Sequence, residues 1–316
     1  MVSEESTLVK FKRRMRRISE NQIIKLKEYQ FFQPPELLRA EHLLGSSIPL
    51  LDRTTPIGSM GSCFAREIKS YLETHGYNYV HYGEGKRANH GSAPWERVFN
   101  TGCILQEVER AMCGISGKGY VEGDDGRIYD LCRKGAAFES TSEAALEEEE
   151  YIVCGERAFL DSDIFTLGMS ETWYDKTSGI TLAEAPPGPA YKPECHKFRL
   201  LSPEENIKNI KQTLGHLFFR KPKIKVILTV SPVPLRATFF ARSAAVSNNV
   251  SKGALIYAAH SICQEFDNVY YFPSYEITQY LADTPFEWDG RHVTEPTINL
   301  IMSLFMQVFE KPSEYF

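Results

Sequence analysis

The sequence predicts an α/β fold in which a parallel β-sheet is covered by helices on both faces. In the C-terminal half, short apolar segments typical of buried strands alternate with segments of helical periodicity. Nearer the N-terminus, an apolar segment at 56–61 is followed directly by another helical pattern. Of the 316 residues, 42% are hydrophobic and 24% charged, which is ordinary for a globular protein. We therefore expect a three-layer, doubly wound sheet.

The first strand and helix meet at Ser62. Residues 56–61 are predicted to form a short buried strand that ends at Gly61. The next helix should place one apolar face on the core and stop near Gly76; its face comprises Phe64, Ile68, Tyr71, Leu72 and His75. Ser62 would then lie where free amides and the helix dipole favour developing negative charge. The simpler interpretation is that Ser62 only caps the helix.

The sequence of the middle of the chain predicts a hairpin, a solvated helical face and a long loop around this core. Residues 116–135 are rich in glycine and contain an Asp-Asp-Gly turn, which indicates a hairpin or insertion. The glutamates at 147–150 are expected on a solvated helical face. The proline-rich segment 186–189 marks a long loop near 183–200, which is a candidate lid or substrate wall.

The C-terminal half supplies the clearest alternation. A helix should begin at Ser202, because Pro203 suits the first helical position and Glu205 completes a capping box. The elements expected next are a strand at 225–230, a helix at 251–266, a strand at 269–272 and a last helix at 295–310. Since parallel sheets form sites at the carboxyl ends of their strands, we expect Ser62, residues 168–170 and Ser231 at one edge.

Asp289 and His292 stand three residues apart near the C-terminus, close enough for one loop to orient both. A serine hydroxyl is a weak nucleophile until an imidazole accepts its proton, and a carboxylate can hold that imidazole in the required tautomer. Ser62, Asp289 and His292 are therefore candidates for a catalytic triad. Cys63 is a rival nucleophile, although a cysteine at this position is as readily explained by packing.

Composition limits the remaining possibilities. The net charge of −5 and the pI near 6.0 do not favour nucleic acid or membrane surfaces. We find no apolar stretch long enough to span a bilayer and no signal-peptide pattern. Seven cysteines without Cys-x-x-Cys spacing indicate reduced thiols, a cytoplasmic location and no structural zinc. We also expect no other metal and no cofactor. The basic run at 10–17 could touch anionic lipid or nucleic acid, but a solvated terminus explains it more simply.

Several motifs in order resemble a known family. They are GSCFA at 61–65, Asn-Thr at 100–101, TLGMSETW at 166–173, LTVSPVPL at 228–235, YFPSYE at 271–276 and Asp-Gly-Arg-His at 289–292. Together they resemble the GSCFA family, a branch of the SGNH (GDSL-like) hydrolase superfamily. The resemblance implies a flavodoxin-like, SGNH-hydrolase-like domain over 51–316. Residues 1–50 would be an N-terminal extension, and the oligomeric state is left open.

The resemblance also implies roles for individual residues. Ser62 would be the nucleophile, with Asp289 and His292 as its partners. The amides of Ser62 and Gly102 would line an oxyanion hole. The superfamily's third block ordinarily supplies an asparagine to this hole, but the segment 168–171 has Ser170 there. Either Ser170 or Asn100 would have to replace that donor, and Glu171 would orient Ser170 or bind substrate.

The expected activity is hydrolysis of an acyl ester, through an acyl-enzyme on Ser62. The substrate would be a small molecule or a glycan carrying the ester. Transfer of the acyl group to a sugar hydroxyl is an alternative that uses the same intermediate, and non-catalytic binding on the same scaffold is a second alternative. The candidate substrate-binding residues are Gly168, Glu171, Trp173, Ser231 and Trp288. Core packing is the competing explanation for the aromatic ones.

Overall fold

A computed structural model of the chain describes residues 6–19, 30–84, 90–115, 119–162, 164–167 and 171–312. Its helices are α1 Thr7–Ser19, α2 Ala40–Leu43, α3 Cys63–Thr74, α4 Thr101–Cys113, α5 Thr141–Asp161, α6 Pro203–Arg220, α7 Ala244–Glu265, α8 Ser274–Tyr280 and α9 Glu295–Phe309. Its strands are β1 Tyr120–Glu122, β2 Ile128–Asp130, β3 Ala136–Phe138, β4 Ile164–Leu167, β5 Glu171–Asp175, β6 Thr181–Leu182, β7 His196–Leu200, β8 Lys225–Thr229 and β9 Val269–Phe272. The mixed α/β class is confirmed.

A parallel sheet of three strands, in the order β4-β8-β9, lies at the centre. Side chains of β8 alternate between two cores because successive residues of a strand point to opposite faces. Val226 and Leu228 pack with residues of α4, α6 and α7, whereas Ile227 packs with residues of α3 and α9. Helices therefore cover both faces of this sheet.

The segment 56–61 does not form the regular strand that its apolar composition predicts. Ile57 makes a single parallel bridge with Tyr79. The carbonyl of Ser59 then accepts from the amide of Ser92 at 2.9 Å, and that of Gly61 accepts from Val98 at 2.8 Å. The buried backbone of 56–61 is thus satisfied by two separate stretches of chain, 78–80 and 92–98. In the described residues, the regular parallel ladder is correspondingly smaller than the extended sheet we expected.

The described residues form two further sheets, both antiparallel and of three strands each, in the orders β1-β2-β3 and β6-β5-β7. β1 and β2 form the hairpin expected near 116–135, whose residues 116–118 lie outside the described chain. The segment 183–200, expected to be a loop, contributes its last five residues to β7. The proline-rich part packs on the hairpin, where the amide of Asp124 donates to the carbonyl of Pro189 at 3.0 Å.

The expectation that 147–150 is a solvated face is wrong at Glu148. This side chain is buried in a cluster of ion pairs that joins α4, the hairpin region and α5. The cluster comprises Glu107, Arg110, Asp130, Arg133 and Glu148. The two guanidinium groups lie among three carboxylates, so the buried charges are largely compensated.

The C-terminal elements follow their predicted order. The capping box at the start of α6 is confirmed, with Ser202 Oγ accepting from the amide of Glu205 and the Glu205 side chain accepting in return. α7 begins earlier than the predicted residue 251. The amides of Ile48 and Leu50 donate to carbonyls in the last turn of α9, so this end of the N-terminal extension packs against the core. Within the described residues, no helix combines the length and hydropathy required to traverse a lipid bilayer.

Candidate active site

Ser62 is the N-cap of α3, and its side chain is almost completely buried, with 3% of the residue exposed. Its hydroxyl accepts from the amide of Phe64 at 3.4 Å and donates to Ser231 Oγ at 3.1 Å. The capping role that the sequence suggested is therefore present. The same hydroxyl also reaches the segment beyond β8, far away in sequence.

The segment 230–235 lies along one face of α7. Leu255 packs on Val230, and one turn earlier Lys252 Nζ donates to the carbonyl of Ser231 at 2.6 Å. A further turn back, Asn248 Oδ1 accepts from the amide of Leu235 at 3.1 Å. These three α7 side chains are spaced for a single helix face. They fix the position of Ser231, the hydrogen-bond partner of Ser62.

Asp289 and His292 form a hydrogen-bonded pair. Asp289 Oδ2 lies 2.6 Å from His292 Nδ1, and Oδ1 accepts from the amides of Arg291 and His292 at 2.9 and 3.0 Å. The His292 amide, then the Arg291 amide, lower the pKa of Asp289 to about 2. The carboxylate therefore holds Nδ1, and Nε2 is available on a side chain that is 68% exposed.

The loop that carries this pair contacts the same segment as Ser62. Arg291 Nε donates to the carbonyl of Pro234 at 3.4 Å, three residues after Ser231. Three residues of chain span at most roughly 10 Å. In the described part of the chain, no hydrogen bond joins the Ser62 hydroxyl to His292, since that hydroxyl is directed at Ser231.

Asn100 and Gly102 lie at the N-terminus of α4, next to the Ser62 turn through the hydrogen bond from the Val98 amide to Gly61. Asn100 Oδ1 accepts from the amide of Cys103 at 2.9 Å, and Nδ2 donates to Thr172 Oγ1 at 3.0 Å. A Cβ on Gly102 would lie 2.6 Å from Thr181 Oγ1. Asn100 therefore caps α4, and Gly102 allows close packing against Thr181, whether or not either residue takes part in catalysis.

Glu171 is the first residue of β5 and follows 168–170, so Gly168 and Ser170 lie outside the described residues. Its carboxylate is buried 3.7 Å from Arg242 Nη2. Burial raises its pKa, while the nearby hydroxyls of Ser247 and Thr238 and the charge of Arg242 oppose that shift. Glu171 thus ties β5 to the loop that follows segment 230–235.

Trp173 belongs to a group of rings on the antiparallel sheet, which we call the aromatic cluster; it comprises Trp173, Tyr191, Phe198 and Phe239. The ring centroids of Tyr191, Phe198 and Phe239 lie between 4.9 and 5.8 Å from that of Trp173. His196 lies against Tyr191, at 5.9 Å. Trp288 is separate and 97% exposed, immediately before Asp289.

Two residues near the site were not predicted from the sequence: Lys252, which binds the Ser231 carbonyl, and Phe239, which packs in the aromatic cluster. With the helix placed at 251–266, Lys252 stood in its first turn, where a lysine is expected to be solvated. Because α7 starts at Ala244, Lys252 lies inside the helix on the same face as Leu255. A lysine interrupting an otherwise apolar stripe was the available signal.

Thiol and metal chemistry have their own requirements, which can be compared with the described residues. No disulfide joins the cysteines there, and no three residues of the His, Cys, Asp or Glu types come together as a metal site. Cys63 is the first residue of α3 and is partly exposed. Its position beside Ser62 keeps it a rival nucleophile to be tested.

The model of the GSCFA family matches residues 56–305. A search of curated proteins gave no significant match. Among solved structures, a Clostridium thermocellum family 3 carbohydrate esterase is 12% identical at a TM-score of 0.35, covering 81% of this chain and 94% of its own. The acetyl xylan esterase Est2A from the rumen bacterium Butyrivibrio proteoclasticus is 11% identical at a TM-score of 0.26, covering 72% and 56%.

Proposed function

The chain belongs to the GSCFA family, and on that premise we propose that it is a serine-dependent acyl-ester hydrolase of the SGNH type. One observation carries the proposal. Segment 230–235 binds the Ser62 hydroxyl through Ser231 and the Asp289–His292 loop through Pro234. The hydroxyl of Ser62, the carboxylate of Asp289 and the imidazole of His292 thus belong to two distant parts of the sequence that both contact this short segment.

In the proposed reaction, Ser62 Oγ attacks the ester carbonyl while His292 Nε2 accepts the hydroxyl proton. Asp289 holds Nδ1 and stabilises the imidazolium. Collapse of the tetrahedral intermediate breaks the ester C–O bond, and the proton passes from His292 to the leaving alcohol. Water then attacks the acyl-enzyme, returns a proton through His292 to Ser62, and releases the carboxylic acid. Before attack, the Ser62 hydroxyl must turn from Ser231 towards His292.

The oxyanion is proposed to bind the amides of Ser62 and Gly102 and the hydroxyl of Ser170. Asn100 is the weaker alternative, because its carbonyl caps α4 and its amide group already donates to Thr172. A donor of this kind contributes about 2.7–4 kcal/mol to transition-state binding.

An acylated glycan is the proposed substrate class. Aromatic rings beside a catalytic centre suit the apolar faces of sugars, and the exposed Trp288 directly precedes Asp289. The aromatic cluster offers a second surface, joined to the site by the hydrogen bond from Asn100 to Thr172. Gly168, Glu171 and Ser231 would shape the acyl side of the pocket. A sugar hydroxyl in place of water would give acyl transfer.

The same scaffold could instead bind an acylated glycan without catalysis. The observation that favours this second candidate is the orientation of Ser62, whose hydroxyl is buried and bonded to Ser231. A binding protein would not need the hydroxyl to turn towards His292.

Labelling with a fluorophosphonate probe separates the two candidates. The wild-type protein should be labelled and should hydrolyse short acyl esters, whereas Ser62→Ala should lose both, with at least about a 10³-fold fall in rate. Cys63→Ala, a matched change one residue away, should keep most of the activity. Absence of labelling and hydrolysis in the wild type would favour the binding protein. Inactivation by iodoacetamide that substrate prevents would instead make Cys63 the nucleophile.

A further inference from the structure

Lys252 is an unusual residue for its surroundings. It lies in the interior of α7 with 1% of its surface exposed. Lysine is rarely buried so completely, because removing an amine from water is unfavourable unless specific contacts compensate. A methionine of similar shape would fill the same space without this penalty. The presence of an amine at this position therefore points to a use for it.

The contacts of Lys252 connect it to the nucleophile. Its Nζ donates to the main-chain carbonyl of Ser231 at 2.6 Å. The hydroxyl of that same residue accepts from the Ser62 hydroxyl at 3.1 Å and from the Val233 amide at 3.3 Å. An unbroken chain of hydrogen bonds and covalent structure thus runs from the amine to Ser62.

We propose that Lys252 is a positioning residue for Ser62. It anchors Ser231, whose hydroxyl fixes Ser62 Oγ in the resting position from which the Ser62 proton turns towards His292. This inference rests on the proposed esterase function. In the described residues, the pairings of β8 with β4 and β9 end at Leu228 and Thr229, and the Ser231–Pro232 sequence lacks one amide donor because of the proline. Beyond the end of these strand pairings, the Lys252 amine supplies a fixed hydrogen-bond donor to the Ser231 carbonyl.

The surroundings of the amine support a role at the site. Burial lowers the pKa of Lys252 to about 7, and the charge of Cys63 partly opposes that shift. Cys63 directly follows Ser62, so the amine is electrostatically coupled to the start of α3. Perturbed ionisable groups of this kind concentrate at functional sites.

Replacing Lys252 with methionine tests the proposal. Lys252→Met keeps the volume and removes the donor, so the variant should fold at least as stably as the wild type. We expect kcat and the rate constant for fluorophosphonate labelling of Ser62 to fall about 10- to 100-fold, with KM within about 3-fold, because orientation of the nucleophile is expressed in the transition state.

Lys221→Met is the matched control. Lys221 Nζ also donates to main-chain carbonyls, those of Leu160 and Ser162 at 2.9 and 2.8 Å. It lies at the opposite end of β8 from Ser231, so this variant should lose stability but keep the wild-type labelling rate and kcat.

Hydrogen exchange supplies a readout that does not depend on activity. The amides of Phe64 and Val233 donate to the hydroxyls of Ser62 and Ser231. Both should exchange at least about 10-fold faster in Lys252→Met and at the wild-type rate in Lys221→Met.

The outcomes distinguish the two proposals. Wild-type protein that is inert towards esters and probe, but whose Lys252→Met variant shows faster exchange, would refute the esterase and show that Lys252 anchors Ser231 and Ser62 without serving catalysis. An active wild type with unchanged labelling in Lys252→Met would overturn the positioning role and leave the esterase standing. An inert wild type with unchanged exchange would overturn both.

Discussion

At the scale of single residues, the hydroxyl of Ser62 combines a structural and a chemical position. It caps α3 and also donates to Ser231. Capping places a side chain at a helix N-terminus, where the free amides can also stabilise an anion. The structural and catalytic interpretations of Ser62 are therefore compatible, and substitutions must be chosen to separate them.

Substitutions of Asn100 and Ser170 can show which of the two side chains donates to the oxyanion. Asn100→Asp keeps an oxygen that caps α4 but removes the donor to Thr172, so we expect a modest loss of stability and little loss of kcat. Ser170→Ala should reduce kcat by the equivalent of about 2–3 kcal/mol without a comparable rise in KM, because the oxyanion forms only after attack. Steady-state kinetics measures both. If both variants keep the wild-type kcat, neither side chain stabilises the oxyanion and only backbone amides form the oxyanion hole.

Asp289 permits a prediction about pH. Because its pKa lies near 2, the carboxylate stays ionised throughout the usual assay range. Asp289→Asn should therefore lower kcat by a constant factor from pH 5 to 9, on the order of 10⁴ as for other triad carboxylates. Glu287→Gln makes the same charge change at an exposed position of the same loop and should be near neutral. A loss that disappears at low pH would show that Asp289 titrates in this range.

At the scale of elements, the buried cluster of ion pairs connects the β1–β2 hairpin region to α4 and α5. Arg133 contacts Asp130, Glu107 and Glu148 at 3.1–3.3 Å, linking the hairpin region to α4 and α5. Arg133→Met should leave these carboxylates undercompensated and reduce the free energy of unfolding by about 3–5 kcal/mol. Denaturant unfolding measures this.

The same hairpin region contains the control for that prediction. Arg127 pairs with Glu139 at 3.1 Å, but both side chains are exposed. Arg127→Met should change the free energy of unfolding by at most about 1 kcal/mol. Equal effects of the two substitutions would mean that burial of the cluster does not determine its contribution.

Two helical glycines give a further contrast between elements. Gly215 lies inside α6, and an added Cβ would meet nothing within 4 Å. Gly215→Ala should raise the free energy of unfolding by about 0.5–1 kcal/mol, because alanine restricts the unfolded chain. Gly102→Ala should lower it, since the added Cβ collides with Thr181. Thermal or denaturant unfolding of both variants is decisive, and stabilisation by Gly102→Ala would contradict the packing described.

At the scale of the whole molecule, Lys252 should make stability depend on pH. Its pKa falls from 10.5 in the unfolded chain to about 7 in the folded protein. Below pH 7 both forms are charged and the burial penalty is complete. Between pH 7 and 10.5 the unfolded chain binds one more proton, so this residue makes stability rise with pH, by up to about 1.4 kcal/mol per unit.

Lys252→Met lacks this contribution. Its stability advantage over the wild type should therefore be greatest near pH 6 and shrink towards pH 9.5, as measured by denaturant unfolding at several pH values. Cys63 is the ionisable group whose charge acts on Lys252, so the comparison is repeated in a Cys63→Ala background. An advantage that does not vary with pH would show that the buried amine does not lose its proton in this range.

Local patterns account for much that the sequence predicted correctly. The helix after Ser62, the capping box at Ser202, strands β8 and β9 and the last helix all depend on neighbouring residues, through apolar periodicity, capping and proline position. The Asp289–His292 hydrogen bond likewise needs only one loop. The family, too, could be recognised from short motifs in order, and the family model confirms it.

Long-range contacts account for what the sequence did not reveal. The backbone of 56–61 bonds to two segments instead of one strand, and Glu148 is buried because two arginines from other elements surround it. Only the tertiary structure brings Ser231 to Ser62 and Lys252 to Ser231. A sequence encodes local periodicity directly, whereas the partner of a buried polar group depends on how distant elements pack.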